Sequence, residues 1–296
     1  MSVSADDLLG GDLPARLERL HLIAKRMAFR GRRGVRRSRG VGDGLEFADH
    51  RDYSPGDDPR FIDWSCYARM EKLLVRLFHT HSEAPVALLL DVSASMSAPD
   101  TSKFIYALRT AAALTYIAMG GMEQVLLLPF SDRLHRPLVT GRNRLEIPRV
   151  LEFLASMTAG GRSRFGHCAE QFARSYASVG SALLVSDLCD MEGVLSGGLA
   201  RLAGSGRDLA VIHVTEPPSL RQSGPAVLED AETGRELLLE LSEETIRSAG
   251  RRHRQWQGDC EAICRSRGAV YVHAPTDLAF ERLVLYCLAR AGLVSA

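Results

Sequence analysis

From residue 86 onward, short runs of apolar residues alternate with longer amphipathic stretches, and this alternation restricts the possible folds more than any other feature. The apolar runs, which predict strands, cover residues 86–91, 124–130, 181–187, 209–214 and 269–273. The amphipathic stretches predict helices at residues 102–119, 145–157, 166–178, 192–204, 243–267 and 276–291. Strands that are apolar along their whole length are buried on both faces, so helices must cover both sides of the sheet. The sequence therefore predicts an α/β fold built on a doubly wound, mostly parallel sheet.

The chain before the first of these runs has a different pattern. Apolar positions in residues 14–30 recur at helical spacing and predict an N-terminal helix. The arginine run RGRRGVRRSR follows, and then a turn-rich segment leads into KLLVRLFHTHSE, whose alternation predicts a strand. We therefore divide the chain into residues 1–83, with a helix, a basic run and a small β region, and residues 84–296, the α/β domain. Within that domain, residues 226–241 predict a β-hairpin insertion.

Charge and cysteine content narrow the class of protein. The net charge is +1, which favours neither nucleic acid nor a membrane surface as a partner of the whole chain. We find no apolar window of about 18 residues, so no membrane span is expected, and the N-terminal stretch lacks the apolar region of a secretion signal. The six cysteines do not have the spacing of a disulfide framework, and only Cys260 and Cys264 stand close enough on one helix to share a metal. No second pair accompanies them, so we expect ordinary packing and a reduced, cytoplasmic protein.

Oxygen-bearing side chains follow the first apolar run. The stretch VALLLDVSASMS ends its strand at Asp91 and continues with Ser93 and Ser95. Alternate residues of an extended loop point to the same side, so these three side chains can converge. A carboxylate at a strand end is also expected to be exposed rather than buried in the core. The alternative is that Asp91, Ser93 and Ser95 bond to nearby backbone amides at the start of a helix without binding a metal.

A second strand end repeats this pattern. Asp187 ends the run at residues 181–187, and the glycine-rich loop AGGRSRFGH places Ser163 ahead of another helix. In open α/β sheets, ligands bind beyond the carboxyl ends of the strands, so the three loops can supply one site. Carboxylates and hydroxyls are hard oxygen ligands, which suit Mg²⁺, with Mn²⁺ or Ca²⁺ as alternatives. We therefore predict a divalent-cation site at this edge of the sheet.

The same residues resemble the metal-ion-dependent adhesion site of von Willebrand factor type A domains, whose sheet is Rossmann-like. Its motif is Asp-x-Ser-x-Ser, then a Thr, then an Asp, and the resemblance covers roughly residues 84–292. It implies that an acidic residue of a partner protein completes the coordination of a cation held by Asp91, Ser93, Ser95, Ser163 and Asp187. Ser163 stands where Thr is usual. Arg162 and Arg164 flank it, which lowers the expected metal affinity and makes both arginines candidate partner contacts.

The upstream segment is similar to the hallmark of a bacterial family called domain of unknown function 58. The residues that match its pattern include Asp49, Arg51, Tyr53, Pro55, Gly56, Asp57, Asp58, Arg60, Asp63 and Trp64. Members of that family resemble type A domains with an added β region, and their genes commonly accompany a MoxR-type AAA+ ATPase. The resemblance therefore implies such an ATPase as the partner.

Three roles are open for this hallmark segment. Its acidic and basic residues are mixed and it is rich in aromatic residues, so we expect it to be structural and docked on the α/β domain, with Tyr53 and Trp64 in its apolar anchor. It could instead dock a partner, since arginine suits the bidentate recognition of carboxylates. A second metal site built on Asp57, Asp58 and Asp63 is the third alternative.

The basic run holds six arginines from Arg30 to Arg39, among them Arg36 and Arg37. It is a solvated surface, a contact for an acidic protein or a contact for nucleic acid. No aromatic residues interleave with the arginines and no DNA-binding motif is present, which argues against nucleic acid.

Taken with the resemblance, these features predict a non-catalytic, cation-dependent protein-binding module that works with an AAA+ ATPase. The rival is a metal-dependent phosphohydrolase or phosphotransferase with Asp91 as its nucleophile. Haloacid-dehalogenase-like phosphatases resemble an Asp-x-Asp pattern whose second Asp is the general acid, and Ser93 at that position cannot serve as an acid near neutral pH. The sequence also lacks a P-loop and a G-x-S-x-G elbow, so we predict that the protein is not an enzyme. A nucleic-acid-associated domain that uses the basic run is the third alternative.

Overall fold

The computed structural model forms two compact units, one from residues 1–32 together with 84–296 and the other from residues 33–83. The residues it describes are 4–10, 13–18, 39–40, 47–54, 59, 62–79, 84–100, 102–189, 193–217 and 223–293. Several residues singled out from the sequence lie outside these ranges, namely Arg36, Arg37, Pro55, Gly56, Asp57, Asp58 and Arg60. Arg39, Asp49 and Arg51 are described only by their backbone. The roles predicted for all of these side chains stay predictions.

Strands and helices alternate along most of the chain. The strands are β1 (Arg39–Gly40), β2 (Phe47–Asp52), β3 (Leu74–His79), β4 (Val86–Asp91), β5 (Val125–Phe130), β6 (Leu138–Val139), β7 (Ser181–Ser186), β8 (Asp208–Thr215), β9 (Gly224–Glu229), β10 (Glu236–Leu241) and β11 (Val270–Pro275). The α-helices are α1 (Ala5–Leu8), α2 (Leu13–Glu18), α3 (Trp64–Met70), α4 (Ser102–Gly120), α5 (Ile147–Ala155), α6 (Phe165–Ser175), α7 (Leu195–Ala203), α8 (Glu243–Ser266), α9 (Phe280–Arg282) and α10 (Leu288–Arg290). Within the described ranges, none of the helices combines the length and the apolar character that crossing a membrane requires.

A six-stranded sheet forms the centre of the larger unit. Its strand order is β11-β8-β7-β4-β5-β6, and every neighbouring pair is parallel except β5 and β6. The mostly parallel sheet predicted from the apolar runs is therefore confirmed, with strand ends that shift by a residue or two. The edge strand β6 was not predicted, because two residues are too few to carry a periodic pattern.

Helices cover both faces of this sheet. Leu88 and Leu90 lie in a buried cluster with residues of α4 and α5, whereas Ala87 and Leu89 lie in a second cluster with residues of α6, α7 and α8. Successive residues of a strand point to opposite faces, so an uninterrupted apolar run supplies both clusters at once. The doubly wound arrangement that the sequence predicts is present.

The two N-terminal helices belong to the larger unit. Four of their leucines are buried in the first cluster, namely Leu8, Leu9, Leu13 and Leu17. The described N-terminal residues, 4–10 and 13–18, therefore belong with the sheet rather than with the segment that follows them in the chain. Of the helix predicted at residues 14–30, the part from residue 19 onward lies outside the described residues.

The order of the strands creates a crevice at one edge of the sheet. From β4 the chain passes through α4 to β5 on one side, whereas from β7 it passes through α7 to β8 on the other side. Because α4 and α7 lie on opposite faces, the loops that leave the adjacent strands β4 and β7 diverge. Ligands of open α/β sheets bind at such a reversal of strand order. Asp91 ends β4 and Asp187 follows β7, so both predicted acidic ligands lie at this point.

The described residues of the smaller unit form an antiparallel three-stranded sheet and one helix. Its strand order is β1-β3-β2, and an isolated bridge joins Ile62 to Val75 just before α3. Ile62, Cys66 and Val75 are buried there, whereas Trp64 is 59% exposed. Trp64 stands two residues before Cys66, about 200° around the helix axis, so the two side chains cannot share a face. Trp64 therefore does not join the buried residues within this unit, whereas Tyr53 is half-buried. The role of both residues in anchoring the segment on the α/β domain stays a prediction.

The predicted hairpin is present as β9 and β10, which pair antiparallel over six residues each. The side chain of Asp230 accepts hydrogen bonds from the amides of Glu232 and Thr233, and Gly234 supplies the left-handed backbone (φ 68°) that closes the turn. The hairpin exposes several large apolar side chains, namely Val227, Leu228, Leu237 and Leu238.

We expect Gly198→Ala to destabilise the larger unit by about 1–3 kcal/mol, because a methyl group at this position of α7 would overlap the ring of the buried Phe165 on α6. Gly197→Ala is the matched control in the same helix. Its methyl group would meet only the flexible end of Arg201, and alanine has the higher helix propensity, so we expect it to be neutral or stabilising. Midpoints of urea unfolding compare the two variants, and equal midpoints would contradict close packing of α7 on α6.

Candidate functional site

Asp91 is the centre of a buried polar cluster at the crevice. Its Oδ1 accepts hydrogen bonds from the Ser93 hydroxyl at 2.6 Å and the Ser93 amide at 2.9 Å. Its Oδ2 accepts one from the Ser186 hydroxyl at 2.6 Å. Asp91 is fully buried, so the expectation of an exposed carboxylate is wrong. The donors come from both sides of the end of β4: Ser93 lies in the loop that follows β4, and Ser186 is the last residue of the neighbouring strand β7.

Two serines connect Asp91 to the second predicted carboxylate. The hydroxyls of Ser93 and Ser95 lie 3.1 Å apart, and the Ser95 hydroxyl donates to Oδ1 of Asp187 at 3.4 Å. Asp187 is almost completely buried, and its Oδ1 also accepts from the amide of Cys189 at 3.0 Å. The structure thus brings together four of the five predicted ligands in one continuous chain of oxygen atoms.

A lysine that the sequence analysis did not single out completes this cluster. Lys103 Nζ donates to Oδ2 of Asp187 at 2.9 Å, and both side chains are buried. Burial by itself lowers the pKa of Lys103, but the charge of Asp187 and the hydrogen bond to it more than offset this, so its pKa is raised. Lys103 is the second residue of α4, the helix that follows the Asp91 loop. A lysine at the start of that helix is the sequence feature that could have indicated its place in the cluster.

The charges of the cluster are unevenly compensated. Burial raises the pKa of Asp91, and the negative charge of Asp187 raises it further, because both effects penalise the ionised form. With both carboxyls ionised, Lys103 neutralises only one of two buried negative charges. An additional positive charge would therefore stabilise the ionised cluster.

The loop of Ser163 lies beside the cluster. The Gly160 amide donates to the Val92 carbonyl at 2.8 Å, and the Ala94 amide donates to the Gly161 carbonyl at 2.9 Å. Gly161 has left-handed backbone (φ 79°), which glycine adopts without strain. The Ser163 hydroxyl oxygen is buried and makes no hydrogen bond within the described residues. No contact of this hydroxyl with Asp91 or Asp187 is present either, so its role as a ligand stays a prediction.

Charged side chains border this loop. Arg162 and Arg164 are exposed. The amide of Ser163 donates to Oε1 of Glu232 at 3.0 Å, so the tip of the β9–β10 hairpin reaches the loop. This contact joins residues that are 69 positions apart, which is why no local sequence pattern announces it.

His213 holds the backbone of Asp187 in place. Its Nε2 lies 2.9 Å from the Asp187 carbonyl oxygen and its Nδ1 lies 2.7 Å from the Tyr271 hydroxyl. Burial lowers the pKa of His213 to about 4, so the ring is neutral near pH 7. A carbonyl only accepts, so Nε2 carries the proton and Nδ1 accepts from Tyr271. His213 is fully buried.

A cavity of about 420 Å³ opens next to Asp187 and Lys103. Its other walls include Glu216, His253 and Trp256. The cavity gives a side chain from another molecule room to approach the edge of the buried cluster.

The residues of the cluster fit a divalent cation. Two carboxylates and several hydroxyls form a hard oxygen donor set, and the hydroxyl of Ser163 is buried without a hydrogen-bond partner in the described part of the chain. Asp91, Ser93, Ser95, Ser163 and Asp187 are the residues that would hold the cation. Lys103 already pairs with Asp187, so such a cation must compete with its ammonium group.

Comparison with known families identifies the chain. A family model described as protein of unknown function DUF58 matches residues 49–258, which is most of the chain. The chain therefore belongs to the DUF58 family, as the hallmark segment predicts.

Curated relatives and solved structures give more distant matches. Uncharacterized proteins of Mycobacterium tuberculosis and Mycobacterium bovis are each 28% identical over 200 residues, which cover 65% of this chain. The chain spans 62% of the length of each of these relatives. Among solved structures, the conserved hypothetical protein BatB from Bacteroides thetaiotaomicron is 16% identical with a TM-score of 0.44, over 71% of this chain and 99% of that chain.

Proposed function

We propose that this member of the DUF58 family is a non-catalytic protein-binding module of the von Willebrand type A kind, whose partner contact depends on a divalent cation. The observation that carries the proposal is the chain of oxygen atoms from Asp91 through Ser93 and Ser95 to Asp187. It lies where the strand order reverses, at the edge of the sheet where α/β proteins bind their ligands. When bound, the cation supplies an open coordination position for a carboxylate oxygen of the partner.

Lys103 sets the conditions for cation binding in this proposal. Its ammonium group neutralises one carboxylate of the donor set, so a cation gains affinity only by displacing it. The site then has two alternative states, one with Lys103 paired to Asp187 and one with the cation bound. Binding of Mg²⁺, or of Mn²⁺ or Ca²⁺ in its place, is therefore weak in the isolated chain and stronger when a partner carboxylate joins the cation.

The partner in this proposal offers an acidic residue. The backbone of the Ser163 loop already binds the carboxylate of Glu232, so the rim of the site accepts an acidic group that comes from outside the sheet. Arg162 and Arg164 are exposed on the same loop and available to a partner's acids. The resemblance to the family suggests a MoxR-type AAA+ ATPase as this partner.

The proposal excludes a catalytic role for Asp91. Both carboxylate oxygens accept hydrogen bonds from serines and the side chain is fully buried, which hinders attack on a substrate. This favours the binding module over the phosphohydrolase.

We propose further that the protein works in the reducing cytoplasm, because its six cysteines do not have the spacing of a disulfide framework.

Isothermal titration calorimetry of the full chain with MgCl₂ and MnCl₂ tests the cation site directly. A purified MoxR-type ATPase is then titrated in MgCl₂ or in EDTA, without nucleotide, so that Mg²⁺ acts only on the contact itself. We expect one cation per chain and ATPase binding that EDTA abolishes. Equal ATPase binding in both buffers contradicts the dependence on a cation and assigns the contact to protein groups alone. A chain that takes up neither cation, with or without the ATPase, contradicts the proposal as a whole.

A further inference from the structure

The smaller unit contains a second cluster of potential metal ligands, with different chemistry. His50 Nε2 lies 2.9 Å from Oδ2 of Asp63 and 3.8 Å from Sγ of Cys66. All three donor atoms lie within 4.8 Å of one another. Cys66 is buried, whereas the side chains of His50 and Asp63 are 27% and 17% exposed, so a solvated ion can reach the cluster.

The fold of this unit places the three residues together. His50 lies on β2, which pairs with β3. The Asp63 amide donates to the Leu74 carbonyl at 2.8 Å, which holds the start of α3 against β3. Oδ1 of Asp63 accepts from the Cys66 amide at 3.0 Å and caps the helix, which leaves Oδ2 directed at His50. The cluster thus joins two elements that are separate in the sequence.

The geometry differs from that of a hydrogen-bonded catalytic triad. In a triad the histidine uses one ring nitrogen for the nucleophile and the other for the acid. Here the same nitrogen, Nε2, faces both Asp63 and Cys66, and one N–H group cannot be directed well at both. Three donors that converge on one point are instead the arrangement that a shared cation requires. Around a tetrahedral zinc ion, nitrogen, oxygen and sulfur ligands stand about 3.3–3.7 Å apart, so binding would lengthen the 2.9 Å distance between Nε2 and Oδ2 and leave the 3.8 Å distance between Nε2 and Sγ nearly unchanged.

We propose that His50, Asp63 and Cys66 form a binding site for Zn²⁺ or a similar thiolate-preferring divalent transition metal. Three protein ligands of this kind leave one tetrahedral position for water or another ligand. The donor set contains nitrogen and sulfur, so it selects a different class of ion from the oxygen-only cluster at Asp91.

A structural role for this metal follows from the small size of the unit, which spans only residues 33–83. Units of this size are commonly stabilised by a metal, because binding energy at a site formed only on folding adds to the folding free energy. The bound metal would tie β2 to the start of α3.

The test is a titration of the full chain with Co²⁺, a spectroscopic substitute for Zn²⁺. We expect one Co²⁺ per chain, visible d–d bands of tetrahedral coordination and a near-ultraviolet thiolate-to-cobalt charge-transfer band, all lost when Zn²⁺ is added. Cys66→Ser should remove the charge-transfer band, and His50→Gln should weaken Co²⁺ binding by at least about tenfold while the thiol remains. If Cys66→Ser does not fold, His50→Gln carries the test, and far-ultraviolet circular dichroism shows whether His50→Gln is folded.

Two controls separate this site from others in the chain. Cys260 and Cys264 are buried on the same face of α8 and are the alternative thiol ligands among the described helices. Cys260→Ala removes one of these thiols and should leave the cobalt spectrum intact. Asp91→Asn should leave it intact as well, because the proposal does not depend on the cation site of the larger unit. The proposal is overturned if Co²⁺ gives no charge-transfer band, if the band survives Cys66→Ser, or if Cys260→Ala removes it.

Discussion

Lys103→Met should lower the free energy of unfolding by about 3–5 kcal/mol when divalent cations are absent, because breaking a buried ion pair leaves an uncompensated buried charge. Lys103 and Asp187 are both buried and lie 2.9 Å apart, and Asp91 adds a second carboxylate to the same cluster. Methionine keeps most of the length of the lysine side chain but none of its charge. Urea unfolding in EDTA measures the loss, and Lys72→Met is the control because Lys72 is exposed.

Excess MgCl₂ should restore much of this stability to Lys103→Met and add less to the wild-type protein. A ligand that binds only the native state stabilises it by about 2.7 kcal/mol when its concentration is 100 times Kd, and by about 0.4 kcal/mol when the two are equal. Removal of the ammonium group frees the Asp187 carboxylate, so the Kd for Mg²⁺ should fall. The stabilisation by MgCl₂ should then approach the larger of these two values. Equal stabilisation of both proteins by MgCl₂ would show that Lys103 does not compete with the cation.

A double variant isolates the ion pair itself. Lys103→Met combined with Asp187→Asn removes both charges, so its stability in EDTA should exceed that of Lys103→Met alone. It should gain nothing from MgCl₂, because one of the two carboxylates of the donor set is gone. A double variant that is no more stable than Lys103→Met would mean that the lost stability came from packing around the lysine stem.

The second large effect is expected for Asp91→Asn, which should abolish cation binding and leave the protein folded. The amide still accepts a hydrogen bond from Ser93, and Ser186 can accept one in turn from the new amide group, so few polar atoms lose a partner. The substitution also removes a buried charge that Asp187 repels, so stability in EDTA should be unchanged or higher.

Calorimetry measures how Asp91→Asn changes the affinity for the cation. We expect the affinity to fall by more than about a hundredfold, or 2.7 kcal/mol. Asp132→Asn is the matched control, because it removes an exposed carboxylate that follows the neighbouring strand β5. A folded Asp91→Asn variant that binds Mg²⁺ like the wild type would refute the assignment of the cluster as a cation site.

Much of the fold could be predicted from the sequence. Apolar runs such as the one that ends at Asp91 are buried on both faces, and this alone requires a mostly parallel sheet with helices on each side. The hairpin near residues 226–241 followed from local alternation and turn residues. The positions of Asp91 and Asp187 at strand ends also follow from the order of residues, so their meeting at one edge could be expected.

The remaining features of the two sites depend on which elements become neighbours. Ser186 reaches Asp91 because β7 pairs with β4 in one register, and Lys103 reaches Asp187 because α4 passes the crevice. The same reason explains why Asp91 is buried rather than exposed and why His50 meets Cys66. Periodicity and local turn chemistry determine the type and extent of each strand and helix, which is what the sequence by itself decided here. Contacts between residues that are distant in the chain depend on strand order, register and helix placement, so only the tertiary structure decided which charges face one another.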